Sequence, residues 1–199
     1  MLDLLKDKLD KTFIRYIIKF LAKYNFDPNA LTIIGLITGI FSAYLIYREY
    51  FIYSIFTIIL SASCDICDGW LARATKKVSK FGKLLDTISD KYVEGFFGLA
   101  LAFILKDFII PGFAWAIIAV FGSIIISLVS NMGSSMSNKK IFKITSRFDR
   151  AILLIVGFII AGIYGSLYLT YTIALIAILS HITAITILIQ YYFIFKNSN

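Results

Sequence analysis

Residues 64–90 read CDICDGWLARATKKVSKFGKLLDTISD, with an apolar run on either side. Aspartates punctuate this stretch in two pairs. Asp65 and Asp68 stand i, i+3, and Asp86 and Asp90 stand i, i+4, so each pair projects from one face of a helix. A short basic segment with Arg73, Lys76, Lys77, Lys80 and Lys83 joins the pairs. So short a link makes the two helices antiparallel neighbours, with their acidic ends on the same side.

The rest of the chain supplies the solvent for these helices. Of 199 residues, 59% are hydrophobic and 16% charged, and the mean hydropathy is +0.85. A soluble domain carries about 25% charged residues. The apolar excess points to a bilayer. The formal net charge is +8, with basic residues set beside apolar spans. That placement favours anionic lipid headgroups and anionic substrates over nucleic acid. The first 25 residues mix charged and apolar positions, so no cleavable signal peptide is expected.

Residues 1–26 place Leu2, Leu5, Leu9, Phe13, Ile17, Phe20 and Leu21 at helical spacing among six lysines and arginines. This predicts an amphipathic helix lying along the membrane surface, ended by Asp27-Pro28-Asn29. Residues 27–199 read as one transmembrane domain. Ala30 to Tyr47 is an uncharged span containing Gly35-x-x-x-Gly39, a pattern suited to close helix contact. A second span begins near Tyr50 and runs into the first aspartates. A third covers roughly Leu84 to Leu105, and residues 108–138 supply a fourth. Residues 151–195 are uncharged and would make roughly 68 Å of helix, about twice a bilayer core. They must fold back once, and Gly162-Ile163-Tyr164-Gly165-Ser166 is the natural turn. The expected fold class is therefore all-α, with six transmembrane helices and an N-terminal interfacial helix. With both termini in the cytoplasm, nearly all Lys and Arg fall inside, and only Arg48 and Lys106 lie in outer loops.

Carboxylates inside a bilayer are expensive and by default functional. Four in one low-dielectric place need protons or cations. Oxygen-only ligation favours a hard divalent ion such as Mg²⁺, Mn²⁺ or Ca²⁺, and such an ion suits phosphate chemistry. The acidic ends lie on the cytoplasmic side, which puts the active site near that face of a multi-pass cell-membrane protein. Cys64-x-x-Cys67 has neither the further ligands zinc needs nor a soluble redox context, and is read as helix packing. His181, the only histidine, is read as a helix-contact hydrogen bonder.

The pattern Asp65-x-x-Asp68-Gly69-x-x-Ala72-Arg73, eight residues, then Gly82-x-x-x-Asp86-x-x-x-Asp90 resembles the signature of the CDP-alcohol phosphotransferase family. The resemblance implies a homodimeric enzyme with six transmembrane helices. It would move a phosphoalcohol group from a CDP-linked donor to a hydroxyl acceptor and release CMP. It implies Asp65, Asp68 and Asp86 as ligands of Mg²⁺ or Mn²⁺, with Asp90 on a second metal or acting as the base. Gly69, Ala72, Arg73 and Gly82 would line the CDP pocket with Asp65 and Asp68, and Asn29 and Thr32 would help hold the nucleotide.

Ser146-Arg147-Phe148-Asp149-Arg150 resembles the paired-arginine motif of inositol phosphate lipid synthases. That resemblance implies Arg147 and Arg150 as candidates for binding a phosphorylated acceptor, inositol phosphate. Those enzymes carry further basic residues late in the fourth helix, whereas residues 130–135 here read SNMGSS. A glycerol phosphate acceptor and a CDP-inositol donor therefore stay open. A different class, an ion-coupled transporter, also uses intramembrane acids, but no internal repeat is visible here. A non-catalytic lipid-binding scaffold would leave the intact motif unexplained.

Overall fold

The computed structural model describes residues 16–137, 139 and 141–196. These form helices and turns, and the only β-type pairing among them is an isolated bridge between Phe108 and Ile110. Residues 16–23 form a helix, α1. Then follow α2 (Pro28–Tyr47), α3 (Phe51–Ala74), α4 (Lys80–Ile104), α5 (Gly112–Met136), α6 (Arg147–Tyr164) and α7 (Ser166–Lys196). The amphipathic reading of residues 1–15 falls outside the described residues.

Four helices, α2, α3, α5 and α7, are long and apolar enough to cross a membrane. α4 carries Lys80, Lys83, Asp86, Asp90, Lys91 and Glu94 over its first 15 residues, and α6 opens with Arg147, Asp149 and Arg150. Length and composition alone therefore do not mark these two as spans.

The chain divides into two compact units. The first combines residues 1–42 with 56–93. Here Asp27 caps α2, its Oδ1 accepting the Asn29 N–H at 3.0 Å, and Pro28 takes the first helical position, where its missing N–H costs nothing. Gly35 and Gly39 let α2 approach its neighbours. Ser61 on α3 donates to the Gly35 carbonyl at 2.7 Å. A Cβ on Gly39 would lie 2.5 Å from a Val93 methyl, so even alanine would push α4 away. Cys64 and Cys67 are buried free thiols, packed with Ile18, Leu31 and Leu71, as their packing reading requires. α4 starts a turn earlier than its hydropathy suggests, because Ser79 Oγ accepts the Gly82 N–H at 2.9 Å.

The second unit combines residues 43–55 with 94–199. α7 packs on both α5 and α6. His181 Nε2 lies 3.1 Å from the Ile118 carbonyl on α5, the helix-contact role expected of it. The turn between α6 and α7 falls at Gly165, whose φ of +100° is one that side-chain-bearing residues rarely adopt. Its N–H closes α6 on the Ala161 carbonyl at 2.8 Å. At 31 residues, α7 outruns a bilayer core of about 30 Å by several turns.

Candidate active site

All four signature aspartates and the expected nucleotide residues belong to the first unit. Asp65 from α3 meets Asp86 and Asp90 from α4. One carboxylate oxygen from each lies within 4.8 Å of the others, and all three side chains are half-buried. Helical spacing explains part of this: Asp86 and Asp90 are one turn apart on one face of α4. The packing of α3 on α4 supplies the rest.

Asp68 stands slightly apart from that trio. It is 6% exposed, and its Oδ2 accepts a hydrogen bond from Thr32 Oγ1 at 2.5 Å. The same hydroxyl lies 3.2 Å from the Pro28 carbonyl. One hydroxyl has one proton, and the shorter contact with the carboxylate takes it. So Thr32, at the start of α2, anchors a signature aspartate of α3.

Asn29 also comes to this end of the unit. A Cβ added to Gly82 would sit 2.9 Å from Asn29 Oδ1 and 3.1 Å from Ser79 Oγ, so the glycine keeps α2 and α4 in close approach. Arg73 lies over Gly69, its Nη1 3.5 Å from where a Cβ would project. Its guanidinium carbon also stands 5.7 Å from the centre of the Trp70 ring. Ala72 is half-buried between the buried Leu71 and the exposed Arg73.

The trio is a set of hard oxygen donors from two helices, half-shielded from water. That chemistry fits a divalent cation of the Mg²⁺ or Mn²⁺ type, since paired carboxylates at this spacing repel one another unless a cation or protons intervene.

Residues 26–195 match the family described as CDP-alcohol phosphatidyltransferase. The chain belongs to that family. Among its relatives is a bifunctional IPC transferase and DIPP synthase of Aquifex aeolicus, 30% identical over 181 residues, which are 86% of this chain and 39% of that protein. Another is an archaetidylinositol phosphate synthase of Pyrococcus horikoshii, 39% identical over 90 residues, which are 44% of this chain and 48% of that protein. The matched region thus spans less than half the length of either relative. The fold is similar to that of the Mycobacterium tuberculosis phosphatidylinositol phosphate synthase solved with CDP-DAG bound. The TM-score is 0.77 at 20% identity, over 90% of this chain and 94% of that one. The same enzyme, solved in complex with manganese and citrate, aligns with a TM-score of 0.76 at 19% identity over 90% of this chain and 89% of that one. Family membership sets aside the transporter alternative.

Arg147 and Arg150 lie in the second unit, at the start of α6. Ser146 caps this helix: its Oγ accepts the Asp149 N–H, and the Asp149 carboxylate accepts the Ser146 N–H. The Ser-x-x-Asp spacing is a capping signal legible in the sequence, alongside the paired arginines. Arg147 is exposed and Arg150 half-buried. Arg150 Nη2 donates to Ser123 Oγ on α5 at 3.2 Å, while its Nη1 is buried with no hydrogen-bond partner among the described residues. Ser123 carries no sequence signal of its own, because a serine in an apolar helix usually bonds its own backbone.

Proposed function

We propose that this protein is a metal-dependent transferase that moves a phosphoalcohol group from a CDP-linked donor to a hydroxyl acceptor. The convergence of Asp65, Asp86 and Asp90 within an intact family signature carries this reading. Asp65, Asp68, Asp86 and Asp90 would hold Mg²⁺ or Mn²⁺, and Asn29, Thr32, Gly69, Ala72, Arg73 and Gly82 would line the pocket for CDP. When bound, the ion neutralises phosphate oxygens.

The chain's own residues do the remaining work. Thr32 holds the Asp68 carboxylate in place. Gly82 leaves room for Asn29 beside the first turn of α4. Arg73, exposed at the end of α3, offers a cation to the donor's phosphates. Asp90 accepts the proton of the acceptor hydroxyl as that oxygen bonds to the β-phosphorus. The bond from that phosphorus to the oxygen of the CMP phosphate breaks, and CMP leaves with the electron pair.

The acceptor we favour is inositol phosphate, bound by Arg147 and Arg150. The buried Nη1 of Arg150, without a hydrogen-bond partner among the described residues, supports this, because a buried N–H donor needs an acceptor and a phosphate oxygen can serve as one. The naming of the Pyrococcus relative points the same way. A second reading, a CDP-inositol donor, draws support from the naming of the Aquifex relative, and glycerol phosphate is a further acceptor to be tried. In this proposal all six helices from α2 to α7 cross the membrane and residues 1–26 lie on its surface. Both termini are cytoplasmic, the active site opens near that face, and the protein works as a homodimer.

A CMP-release assay on purified protein tests the reading. It pairs CDP-diacylglycerol, a diether analogue and CDP-inositol with inositol phosphate, glycerol phosphate, inositol and serine. Release dependent on both a CDP donor and an alcohol supports the proposal. No release with any pair overturns it.

A further inference from the structure

The link from α5 to α6 is tied to α7 at two points. Gln190 is the first. Its Oε1 accepts the Phe142 N–H at 2.8 Å, and its Nε2 donates to the Phe142 carbonyl at 2.8 Å. One amide side chain thus satisfies both backbone groups of one loop residue, as a neighbouring β-strand would. Thr183 is the second. Its hydroxyl donates to the Leu179 carbonyl at 2.7 Å, so its lone pairs face the loop. They accept the Thr145 N–H at 3.2 Å and, by proton count, the Thr145 hydroxyl at 2.9 Å. Thr145 and Thr183 are both buried. Ile141, just before the first tie, packs against the cluster of Ile126, Ala184, Ile187 and Tyr191.

Ser146, the cap of α6, follows Thr145 directly, and Arg147 and Arg150 occupy the first turn after it. Thr183 and Gln190 are seven residues apart, two turns along one face of α7. The loop runs along that face in the opposite sense, Phe142 on Gln190 and Thr145 on Thr183. The strap therefore sets the entry point of α6, and with it the direction in which both guanidinium groups point. A strap needed only to satisfy loop backbone could use water at an interface. Two directional ties to a rigid helix instead remove freedom from the segment that carries the arginines.

We propose that Gln190, with Thr183, is a positioning residue for acceptor recognition, acting through Arg150. This inference rests on the reading of Arg147 and Arg150 as the acceptor site. Gln190 touches no substrate in this scheme, and its loss should act on acceptor binding alone.

The test uses the full chain in detergent or nanodiscs, with CMP release followed while CDP-diacylglycerol and inositol phosphate are varied separately. Gln190→Leu removes both hydrogen bonds of the first tie. It should raise the acceptor KM about tenfold, the worth of one or two neutral hydrogen bonds, with the donor KM and the saturated rate unchanged. Thr183→Val is the second variant and should shift the same constant. Arg150→Lys, run alongside, should also raise the acceptor KM. The Gln190→Leu, Arg150→Lys double variant should be no worse than the poorer single one, because both act through one contact. Hydrogen exchange should quicken at the Phe142 amide in Gln190→Leu. If Arg150→Lys raises the acceptor KM while Gln190→Leu and Thr183→Val leave it alone, the positioning role is wrong and the acceptor site stands. If none of the three variants moves it, the acceptor site itself is wrong and the inference falls with it. A rise in both donor and acceptor KM, or a fully additive double variant, assigns Gln190 a general structural role and overturns the proposal.

Discussion

Replacing Thr32 by valine keeps the shape of the side chain and deletes one hydroxyl. In the structure that hydroxyl lies 2.5 Å from Asp68 Oδ2, within the range of a charge-assisted O–H···O⁻ bond. Thr32 and Asp68 are 7% and 6% exposed, so water cannot readily replace the lost donor. A hydrogen bond to a charged group contributes about 1.5–3 kcal/mol, which corresponds to roughly a tenfold to hundredfold change in an equilibrium constant. Asp68 is one of the aspartates assigned to the metal and the CDP group, so the change should appear in donor affinity. Donor binding to Thr32→Val, measured by titration calorimetry in the presence of Mn²⁺, should weaken by at least tenfold. Thr32→Ser, which restores the hydroxyl, should recover most of the loss. In a cycle with Asp68→Asn, the two changes should fall well short of additive, since one bond is removed either way. Donor affinity within twofold of the parent in Thr32→Val would refute the reasoning. So would full additivity with Asp68→Asn.

Excess chelator should abolish CMP release. Mg²⁺ or Mn²⁺ should restore it and Ca²⁺ do so poorly, because its looser coordination positions phosphate less well; full turnover in chelator would contradict a metal site at Asp65, Asp86 and Asp90. Asp90→Asn should stop turnover while sparing much of the donor binding, whereas Asp68→Asn should damage both; equal binding losses, read by the same calorimetry, would remove the division between base and ligand. An impermeant amine label on intact cells should reach Lys106 and leave Lys77 and Lys196 unmodified, and labelling of Lys77 would reverse the proposed orientation.

What the sequence determined by itself follows from local periodicity. The α-helical repeat puts Asp86 and Asp90 on one face, and Asp65 and Asp68 on another, whatever surrounds them. Hydropathy marks α2, α3, α5 and α7, and a glycine in the last long apolar run marks its turn, which falls at Gly165. The first turn of α4 was hidden because hydropathy does not register a cap, and Ser79 supplies one. Which side chains meet across helices is a different matter. It depends on the rotation and register of each helix, which close contacts such as Gly39 against Val93 set. Four aspartates equal in the sequence thus become three facing one another and a fourth held by Thr32. The partner of Arg150 on α5 and the hold of Gln190 on Phe142 join residues 27 and 48 positions apart. No local pattern encodes such pairings, because they exist only once the helices have packed.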